Sequence, residues 1–382
     1  MMVGVPRETY PGETRVALIP KSCELLKKLG MGVIVESSAG DAAGFLDQAY
    51  RDKGAEIGDR AAVFAADIVA QVRSLGANPG AGRADLAWLR PGQAVIGFGE
   101  PLTALEEDQD LAATGVAYFS MELIPRITRA QSMDALSAMA TIAGYRAVLL
   151  AAQALPKIFP MLMTAAGTLT PAKVLILGAG VAGLQAIATA RRLGAVVSAY
   201  DVRPVVKEQV ESLGAKFVVL NVEAEAAEDQ GGYAKALSEE FYQKQREALT
   251  AVIREQDVVI TTAAVPGMKA PILMTRGMVE AMARGSVVVD IAAERGGNCE
   301  VTEAGATIVH RGVTVMGPLN LAASVPNHAS QMYSSNVAAL LKHLVKDGQL
   351  IINLEDEITN DTLVTHGGAV VQARVKRLLE KN

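Results

Sequence analysis

Residues 174–203 carry the feature that most constrains the fold of this chain. An apolar run leads into the spacing G-x-G-x-x-G at Gly178, Gly180 and Gly183, followed by an amphipathic stretch and a second apolar run that ends on Asp201. In a βαβ unit the first glycine permits a tight turn, the second lets the backbone approach a pyrophosphate, and the third lets the helix pack on the strand. The pattern predicts a Rossmann unit that binds a dinucleotide; the alternative is a glycine-rich turn in another parallel α/β unit.

The acid at the end of the second strand indicates which dinucleotide is bound. Asp201 lies about twenty residues after the glycine turn, where a carboxylate accepts hydrogen bonds from the adenosine ribose and repels a 2′-phosphate. Arg203 argues weakly the other way, because an arginine after the acid accommodates that phosphate in other enzymes. We predict NAD(H) as the cofactor, with its pyrophosphate held by the N–H groups and the dipole of the helix N-terminus.

The composition excludes several classes of function. At 382 residues, 50% of them hydrophobic, the chain is long enough for two domains. The net charge is −5 and the basic residues are scattered, so no nucleic acid partner is predicted. Cys23 and Cys299 are far apart and the histidines lack metal-ligand spacing, which predicts no metal and a reducing, cytoplasmic setting. Residues 135–167 are apolar but interrupted by charges and prolines, and we interpret them as a buried helix rather than a membrane span.

Short strand-like runs alternate with helical patterns, which predicts an α/β fold with two doubly wound Rossmann-like domains and a cleft between them. The first series of predicted strands is 3–5, 33–36, 68–72, 94–98 and 116–119; the second begins at Val174 and continues at 196–201, 217–220, 257–262, 287–291 and 313–316. Helices at 131–153 and 330–345 connect the domains. The first domain is therefore discontinuous, 1–136 with 325–382, and the second is 137–324. Ligands in such folds bind outside the carboxyl ends of the strands, which predicts a nucleotide facing that cleft.

A second informative segment runs from Arg126 to Ser137 and is dense in polar groups just before an apolar helix. On a helix, Gln131, Asp134 and Ser137 lie near one face, which Arg126 can reach. An amide, a carboxylate and a hydroxyl on one face can bind the carboxamide of a nicotinamide ring. The alternative is a capping box of Thr128 and Gln131, which accounts for both residues without a ligand.

Three other features could face the cofactor. Gly231 and Gly232 permit a hinge, and Tyr233 next to them could close over a nucleotide as a lid; the alternative is a glycine turn with Tyr233 as a packing anchor. The turn at 261–267 follows a strand and suits a loop that faces the cofactor, although an ordinary βα turn has the same pattern. Asp290 ends an apolar strand, a position that favours a role in the site.

These segments resemble a known family, the NAD(H)-binding component, or domain I, of nicotinamide nucleotide transhydrogenase. The resemblance covers nearly the whole chain, and the blocks RAQSMD and GGYAK are much more specific to the family than the glycine fingerprint. The catalytic positions that it implies, the last of them on a mobile loop that closes on the nucleotide, are Arg126, Gln131, Asp134, Ser137 and Tyr233. The cofactor-binding positions that we predict with it are Ile127, Thr128, Ser132, Met133, Gly178, Ala179, Gly180, Val181, Gly183, Asp201, Val202, Arg203, Gly232, Gln245 and Ala264.

The resemblance also implies partners and a location. Members of this type are homodimers that work with a soluble NADP(H)-binding component and a membrane component that translocates protons. The chain would be the separately encoded alpha subunit, held at the inner face of the cytoplasmic membrane through its partners, with direct hydride transfer between NAD(H) here and NADP(H) there. Gln131 and Ser137 would orient the carboxamide. Arg126 and Asp134 would organise the pocket as an ion pair, and Tyr233 would seal it.

The alanine dehydrogenase family is a more distant resemblance and the alternative function. It shares the two-domain fold and the opening motif with Arg15, and its chemistry rests on a lysine after the third N-terminal strand and a histidine after the fourth. Here those places hold Arg73 and residues 97–100, without a histidine. Oxidation of an amino acid needs a group that takes its proton, whereas hydride transfer between two nicotinamide rings does not. The residues favour transhydrogenation; a module that only senses NAD is a third hypothesis.

Overall fold

The computed structural model describes residues 1–220, 239–265 and 267–381. The chain divides into two compact units, one of Met1–Met139 with Ala322–Asn382 and one of Ala140–Leu321. Each unit is α/β and contains a sheet in which parallel pairing predominates. The predicted fold class is confirmed.

The helices and strands are numbered in chain order. The strands are β1 (Met2–Val5), β2 (Gly32–Glu36), β3 (Glu56–Gly58), β4 (Ile68–Arg73), β5 (Ala94–Phe98), β6 (Ala117–Ser120), β7 (Leu162–Thr164), β8 (Gly167–Leu169), β9 (Lys173–Leu177), β10 (Val196–Tyr200), β11 (Lys216–Phe217), β12 (Val258–Thr261), β13 (Val287–Asp290), β14 (Thr307–His310), β15 (Val313–Met316), β16 (Val345–Lys346), β17 (Gln349–Leu350), β18 (Leu363–His366) and β19 (Ala369–Val370). The helices are α1 (Pro20–Lys28), α2 (Asp47–Asp52), α3 (Arg60–Phe64), α4 (Leu105–Ala113), α5 (Ala135–Ala154), α6 (Val181–Arg192), α7 (Lys207–Ser212), α8 (Glu239–Ile253), α9 (Arg276–Ala281), α10 (Pro326–Leu344), α11 (Glu357–Thr362) and α12 (Ala373–Leu379).

The first unit is built on an eight-stranded sheet of order β19-β18-β6-β5-β4-β1-β2-β3. Pairing is parallel from β6 to β3, whereas β18 runs antiparallel to both β6 and β19. Helix α10 is tied to the N-terminal residues, because Ser330 Oγ accepts from Val16 N at 3.0 Å and Ser334 Oγ accepts from Ile19 N at 2.9 Å. Residues from both ends of the chain thus complete one sheet and its covering layer.

The second unit is built on a seven-stranded sheet of order β11-β10-β9-β12-β13-β15-β14, parallel except for β14. Its central strands are buried on both faces, which is why they are continuous apolar runs. Val174 and Ile176 belong to the core on one face, and Leu175 and Leu177 to the core on the other. The strand order reverses between β9 and β12, so the carboxyl ends of these two strands form the switch point where such folds bind ligands.

The apolar stretch predicted as one buried helix over 135–167 is divided. Helix α5 ends at Ala154, before Pro156 and Pro160, because proline cannot continue the helical hydrogen-bond ladder. Strands β7 and β8 then form an antiparallel hairpin whose side chains are exposed. By length and composition alone α5 could cross a membrane, a test that the core helix of a soluble protein also passes, and 44% of its most apolar window is buried.

A buried carboxyl group on α4 lacks the partners that such groups normally have. Asp108 is fully buried, and among the described residues neither of its side-chain oxygens has a hydrogen-bond partner. Burial raises its pKa to about 8, and the charges of Glu122 and Glu107 act in the same direction. Burial also raises the pKa of Glu8 to about 8 and that of Glu122 to about 7. Protonated carboxyl groups are therefore part of the folded first unit near neutral pH.

We expect the stability of the first unit to fall as the pH rises from about 6 to about 9. Unfolded carboxyl groups release their protons near pH 4, whereas the folded chain holds these protons up to about pH 8 for Asp108. The folded state binds more protons across this interval, so raising the pH favours unfolding. In Asp108→Asn the loss between pH 6 and 9 should be smaller by roughly 3 kcal/mol, two pKa units at about 1.4 kcal/mol each.

Urea unfolding followed by the fluorescence of Trp88 measures this slope, because Trp88 is the sole tryptophan and lies in the first unit. Asp110→Asn on the same helix serves as the control. Equal pH slopes for the wild type and Asp108→Asn would contradict the expectation.

Candidate nucleotide-binding site

The glycine turn between β9 and α6 leaves one face of its backbone open. Gly178 has φ +101°, a conformation that L side chains rarely adopt, and its carbonyl accepts a hydrogen bond from Thr262 Oγ1 at 3.0 Å. A Cβ at Gly183 would lie 1.9 Å from the Gly178 carbonyl oxygen, so the helix and the turn are in close contact there. A Cβ at Gly180 would meet only Arg203 Nη2, 3.9 Å away. The backbone is therefore accessible at Gly180, where the motif places a pyrophosphate.

The N-terminus of α6 adds hydrogen-bond donors to this open face. Gly180 is the N-cap residue, and no side chain of the described residues caps the helix there. The first N–H groups of an uncapped helix have no partners within the helix and carry the positive end of its dipole. Together with the accessible backbone, they fit an anion such as a pyrophosphate.

Asp201 follows β10 and is joined to the glycine turn by hydrogen bonds. Its Oδ2 accepts from Ala179 N at 2.7 Å, and its Oδ1 accepts from Arg203 N at 2.9 Å. The Arg203 guanidinium adds Nε to Oδ1 and Nη2 to Oδ2, both at 2.9 Å. The structure thus brings the predicted positions of this unit to one edge of the sheet: Gly178, Ala179, Gly180, Val181, Gly183, Asp201, Val202 and Arg203.

Asp290, which the sequence analysis predicts in the site, is instead a structural residue. It is fully buried at the end of β13. Its two oxygens accept five hydrogen bonds, from Thr261 Oγ1 (2.9 Å), Ala292 N (3.0 Å), Asn298 N (2.8 Å), Cys299 N (3.0 Å) and Thr302 Oγ1 (2.8 Å). Five donors use the whole acceptor capacity of a carboxylate, so Asp290 holds the following loop against β12 rather than a ligand.

Asn298 extends this network to the turn after β12, a role that its sequence position does not reveal. Its Oδ1 accepts from Ala263 N at 3.0 Å, and its Nδ2 donates to the carbonyls of Ala263 and Pro271, both at 2.8 Å. The amide thereby fixes the backbone of the turn, in which Ala264 is exposed. The partners are 27 to 35 residues away in sequence, so no local pattern predicts them.

In the first unit, the polar segment before α5 is not the continuous helix that the sequence predicts. Thr128–Met133 is a 3-10 helix, and α5 begins at Ala135 because Asp134 caps it. The Asp134 Oδ1 atom accepts from Ser137 N at 2.9 Å, the bond expected of an N-cap aspartate, and Oδ2 accepts from Ser137 Oγ at 2.6 Å. The predictions of a helix over 131–153 and of one helix face shared with Gln131 are therefore wrong, although Asp134 and Ser137 do lie together.

The alternative capping box of Thr128 and Gln131 is not formed either. The 3-10 helix begins after Ile127 without a side-chain cap. Met133 is buried and anchors the segment, whereas Ile127 is half-buried. The exposed side chains of the segment include Arg126, Thr128, Gln131 and Ser132. Exposed polar groups of this kind fit a ligand site better than a helix cap.

Two long-range contacts hold the segment against α10 and α11. Asn336 Nδ2 donates to the Ser132 carbonyl at 2.9 Å. Arg129 Nη1 lies 2.5 Å from Asp356 Oδ2, and the other oxygen of Asp356 lies 3.1 Å from His343 Nε2. Asn336 and Asp356 are more than 200 positions away from these two partners in sequence, so no local pattern indicates the contacts.

Some predicted positions cannot be placed. Gly232 and Tyr233 lie outside the described residues, and so does the side chain of Gln245 on α8. Within the described ranges no group of three or more His, Cys, Asp or Glu side chains could hold a metal ion.

The positions that carry the chemistry of alanine dehydrogenases are occupied differently here. Glu13 accepts from Arg15 Nε at 2.7 Å and Nη2 at 2.6 Å, and from Arg73 Nε at 3.0 Å. The Arg73 guanidinium also lies 4.2 Å from the centroid of the Tyr10 ring. Arg73 is thus held by an ion pair and a cation–π contact, and it cannot take a proton from a substrate because it stays charged.

Comparison with known proteins places the chain in a family. Residues 4–143 match the family model "Alanine dehydrogenase/PNT, N-terminal domain", and residues 147–373 match "Alanine dehydrogenase/PNT, C-terminal domain". An NAD(P) transhydrogenase subunit alpha chain of Rhodospirillum rubrum is 45% identical over 377 residues, which cover 97% of this chain and 98% of that one.

Solved structures agree with this assignment. The crystal structure of transhydrogenase from Sinorhizobium meliloti is similar with a TM-score of 0.86 and 46% identity, covering 97% of this chain and 100% of that chain. An L-alanine dehydrogenase is similar with a TM-score of 0.82 but 26% identity, covering 100% of this chain and 99% of that chain. The chain therefore belongs to the alanine dehydrogenase/PNT family and, within it, to the alpha subunits of NAD(P) transhydrogenases.

Proposed function

We propose that the chain is the NAD(H)-binding component of a proton-translocating NAD(P) transhydrogenase. Hydride passes directly between NAD(H) bound here and NADP(H) on a partner component, and a membrane component couples the transfer to proton movement. The chain is then an oxidoreductase that is active only with its partners. The observation that carries the proposal is the open backbone at Gly180 beside Asp201, in a chain 45% identical to a transhydrogenase alpha subunit along nearly its whole length.

The second unit has the residues to hold the adenosine end of the dinucleotide. The N–H groups at the start of α6 suit the pyrophosphate, and the lack of a side chain at Gly180 leaves room for it. Asp201 suits the ribose hydroxyl groups and disfavours a 2′-phosphate. The bound dinucleotide supplies the hydride at its nicotinamide ring. What the protein contributes is binding, orientation and exclusion of water, without a proton transfer of its own.

The polar segment of the first unit is proposed to contact the nicotinamide end. Ser137 donates its hydroxyl proton to Asp134, so toward a carboxamide it acts as an acceptor, which suits the carboxamide N–H groups. Gln131 is exposed and offers both a donor and an acceptor to the same group. Arg126 and Asp134 organise the pocket by their opposite charges, and Tyr233 closes over the nucleotide.

The proposed assembly follows the names of the relatives, which are subunits of a larger transhydrogenase. We propose that two copies of this chain form a homodimer and that the dimer binds an NADP(H)-binding component and a proton-translocating membrane component. Through these partners the chain lies at the inner face of the cytoplasmic membrane.

Mixing the chain with an NADP(H)-binding transhydrogenase component tests the proposal. We expect NADPH to reduce an NAD analogue only when both proteins are present, as followed by the absorbance of the reduced analogue. Ser137→Ala keeps the backbone cap but removes the hydroxyl, so it should lower this rate by about tenfold to a hundredfold through loss of ring positioning. Ser335→Ala, an exposed serine on α10, is the matched control and should leave the rate unchanged.

Two outcomes would replace the proposal. Reduction of NAD by L-alanine with the chain alone would support the alanine dehydrogenase alternative. Binding of NADH without hydride transfer in the presence of the partner component would leave a module that only senses the nucleotide.

A further inference from the structure

We propose that Arg203 is a latent ligand for a 2′-phosphate, which Asp201 keeps engaged. The choice between NAD(H) and NADP(H) then depends on the ion pair of these two residues rather than on the acid alone. This inference rests on the proposed function, because it assumes that the adenosine ribose lies beside Asp201.

The carboxylate of Asp201 has no acceptor position to spare in this conformation. Its two oxygens accept four hydrogen bonds of 2.7 to 2.9 Å, one from Ala179 N and three from Arg203. A carboxylate offers about four lone-pair sites in all. Ribose hydroxyl groups that donate to Asp201 must therefore displace some of the guanidinium contacts, so the two side chains have to separate to some extent when a nucleotide binds.

The guanidinium is positioned where a ribose phosphate would arrive. Its Nη2 lies 3.9 Å from the place of a Cβ at Gly180, at the border of the open face of the turn. The side chains of Arg203 and Asp201 are 13% and 6% exposed, so their charges are poorly screened by water. The forked N–H groups that now bind the Asp201 carboxylate match the oxygens of a phosphate equally well. Carboxylate and phosphate thus compete for the same donors.

The charges explain why the pair rejects the phosphate as long as Asp201 is ionised. A 2′-phosphate that took over the guanidinium would leave a nearly buried carboxylate unpaired beside a second anion, which is strongly unfavourable. Without the negative charge at 201, the same guanidinium has no competing anion in the pair. It then becomes a bidentate partner for the phosphate.

The test is a double-mutant cycle of Asp201→Asn and Arg203→Met in the full chain. Asparagine keeps an oxygen for Ala179 N–H, so the turn stays supported, and methionine keeps the length of the side chain without its charge. The probes are adenosine 2′,5′-bisphosphate and 5′-AMP, with their dissociation constants measured by titration calorimetry. These fragments report on the ribose position independently of hydride transfer.

We expect Asp201→Asn to bind the bisphosphate about tenfold to a hundredfold more tightly than the wild type, the range for hydrogen bonds to a charged group. The double variant should lose most of that gain. The gain should also shrink with added salt, because it is a contact between charges. Arg203→Met alone should bind the bisphosphate more weakly than the wild type, since its carboxylate is unpaired.

Two results would overturn the proposal. Equal gains in Asp201→Asn and in the double variant would mean that only repulsion was lifted, and tighter binding of the bisphosphate by Arg203→Met would mean that the guanidinium hinders the phosphate. The second measurement also decides the matter if Asp201→Asn does not fold. A wild-type chain that binds neither NADH nor 5′-AMP would instead contradict the proposed function.

Discussion

Alanine at Gly183 is expected to destabilise the second unit severely, whereas alanine at Gly180 is expected to leave the fold intact and remove nucleotide binding. The added Cβ at Gly183 would lie 1.9 Å from a backbone oxygen of the turn, and neither the strand nor the helix can move away without breaking their shared core. Overpacking against backbone of this kind costs at least about 3 kcal/mol. The added Cβ at Gly180 meets nothing closer than 3.9 Å, so the unliganded protein tolerates it.

The effect of Gly180→Ala appears only when the nucleotide is added. Its methyl group occupies the place where the backbone must approach the pyrophosphate, and we expect NADH affinity to fall by on the order of a hundredfold. Urea unfolding followed by circular dichroism measures stability, and calorimetric titration with NADH measures binding. Trp88 fluorescence monitors the first unit separately and should show no change in either variant. Normal NADH binding by Gly180→Ala would place the pyrophosphate elsewhere.

Replacement of Asp290 by alanine is expected to cost the second unit about 4 kcal/mol or more. The substitution leaves five buried or half-buried donors without their acceptor, and each unsatisfied donor costs roughly 1 to 3 kcal/mol before the structure relaxes. Asp290→Asn keeps the shape of the side chain but turns one acceptor into a donor that faces other donors. We expect it to be destabilising as well, though less than alanine.

The same variants distinguish a structural role from a role in the site. Because the oxygens of Asp290 are fully used by the chain, the fraction of Asp290→Asn that is folded should bind NADH with nearly wild-type affinity. Thermal unfolding gives the stability, and titration at a temperature well below the transition gives the affinity. A variant that is as stable as the wild type but has lost NADH binding would show that the carboxylate serves the ligand instead.

The regions of the site that lie on one continuous segment are predictable from the sequence. Gly178, Gly180 and Gly183 form their turn from local geometry, because the strand, the turn and the helix are adjacent in the chain and each glycine answers a steric requirement of its neighbours. Asp201 closes the same unit and lies where the motif places it, hydrogen-bonded to Ala179. Local sequence is sufficient wherever the partner is a near neighbour.

The errors come from competing local signals and from distant partners. Periodicity predicts the start of α5 too early, because the alternation of apolar and polar residues continues through the 3-10 helix, while the capping bond of Asp134 decides where the α-helix begins. The structural role of Asp290 escapes pattern analysis because four of its five donors lie in the chain that folds back onto β13, which no periodicity shows, and its fifth lies on β12. Asn336 and Asp356 hold the polar segment from more than 200 residues away.

The pairing of β18 with β6 has a consequence for the order in which a growing chain acquires its structure. The strand at Ala117–Ser120 leaves the ribosome long before its neighbour at Leu363–His366, with the whole of Ala140–Leu321 translated in between. During that interval the later unit has every strand of its seven-stranded sheet and can close first, whereas the earlier one displays an unpaired sheet edge. Such an edge is a site for chaperones and for misassembly between nascent chains. Synthesis that stalls before residue 363 should therefore produce aggregation through the half of the molecule that was made first.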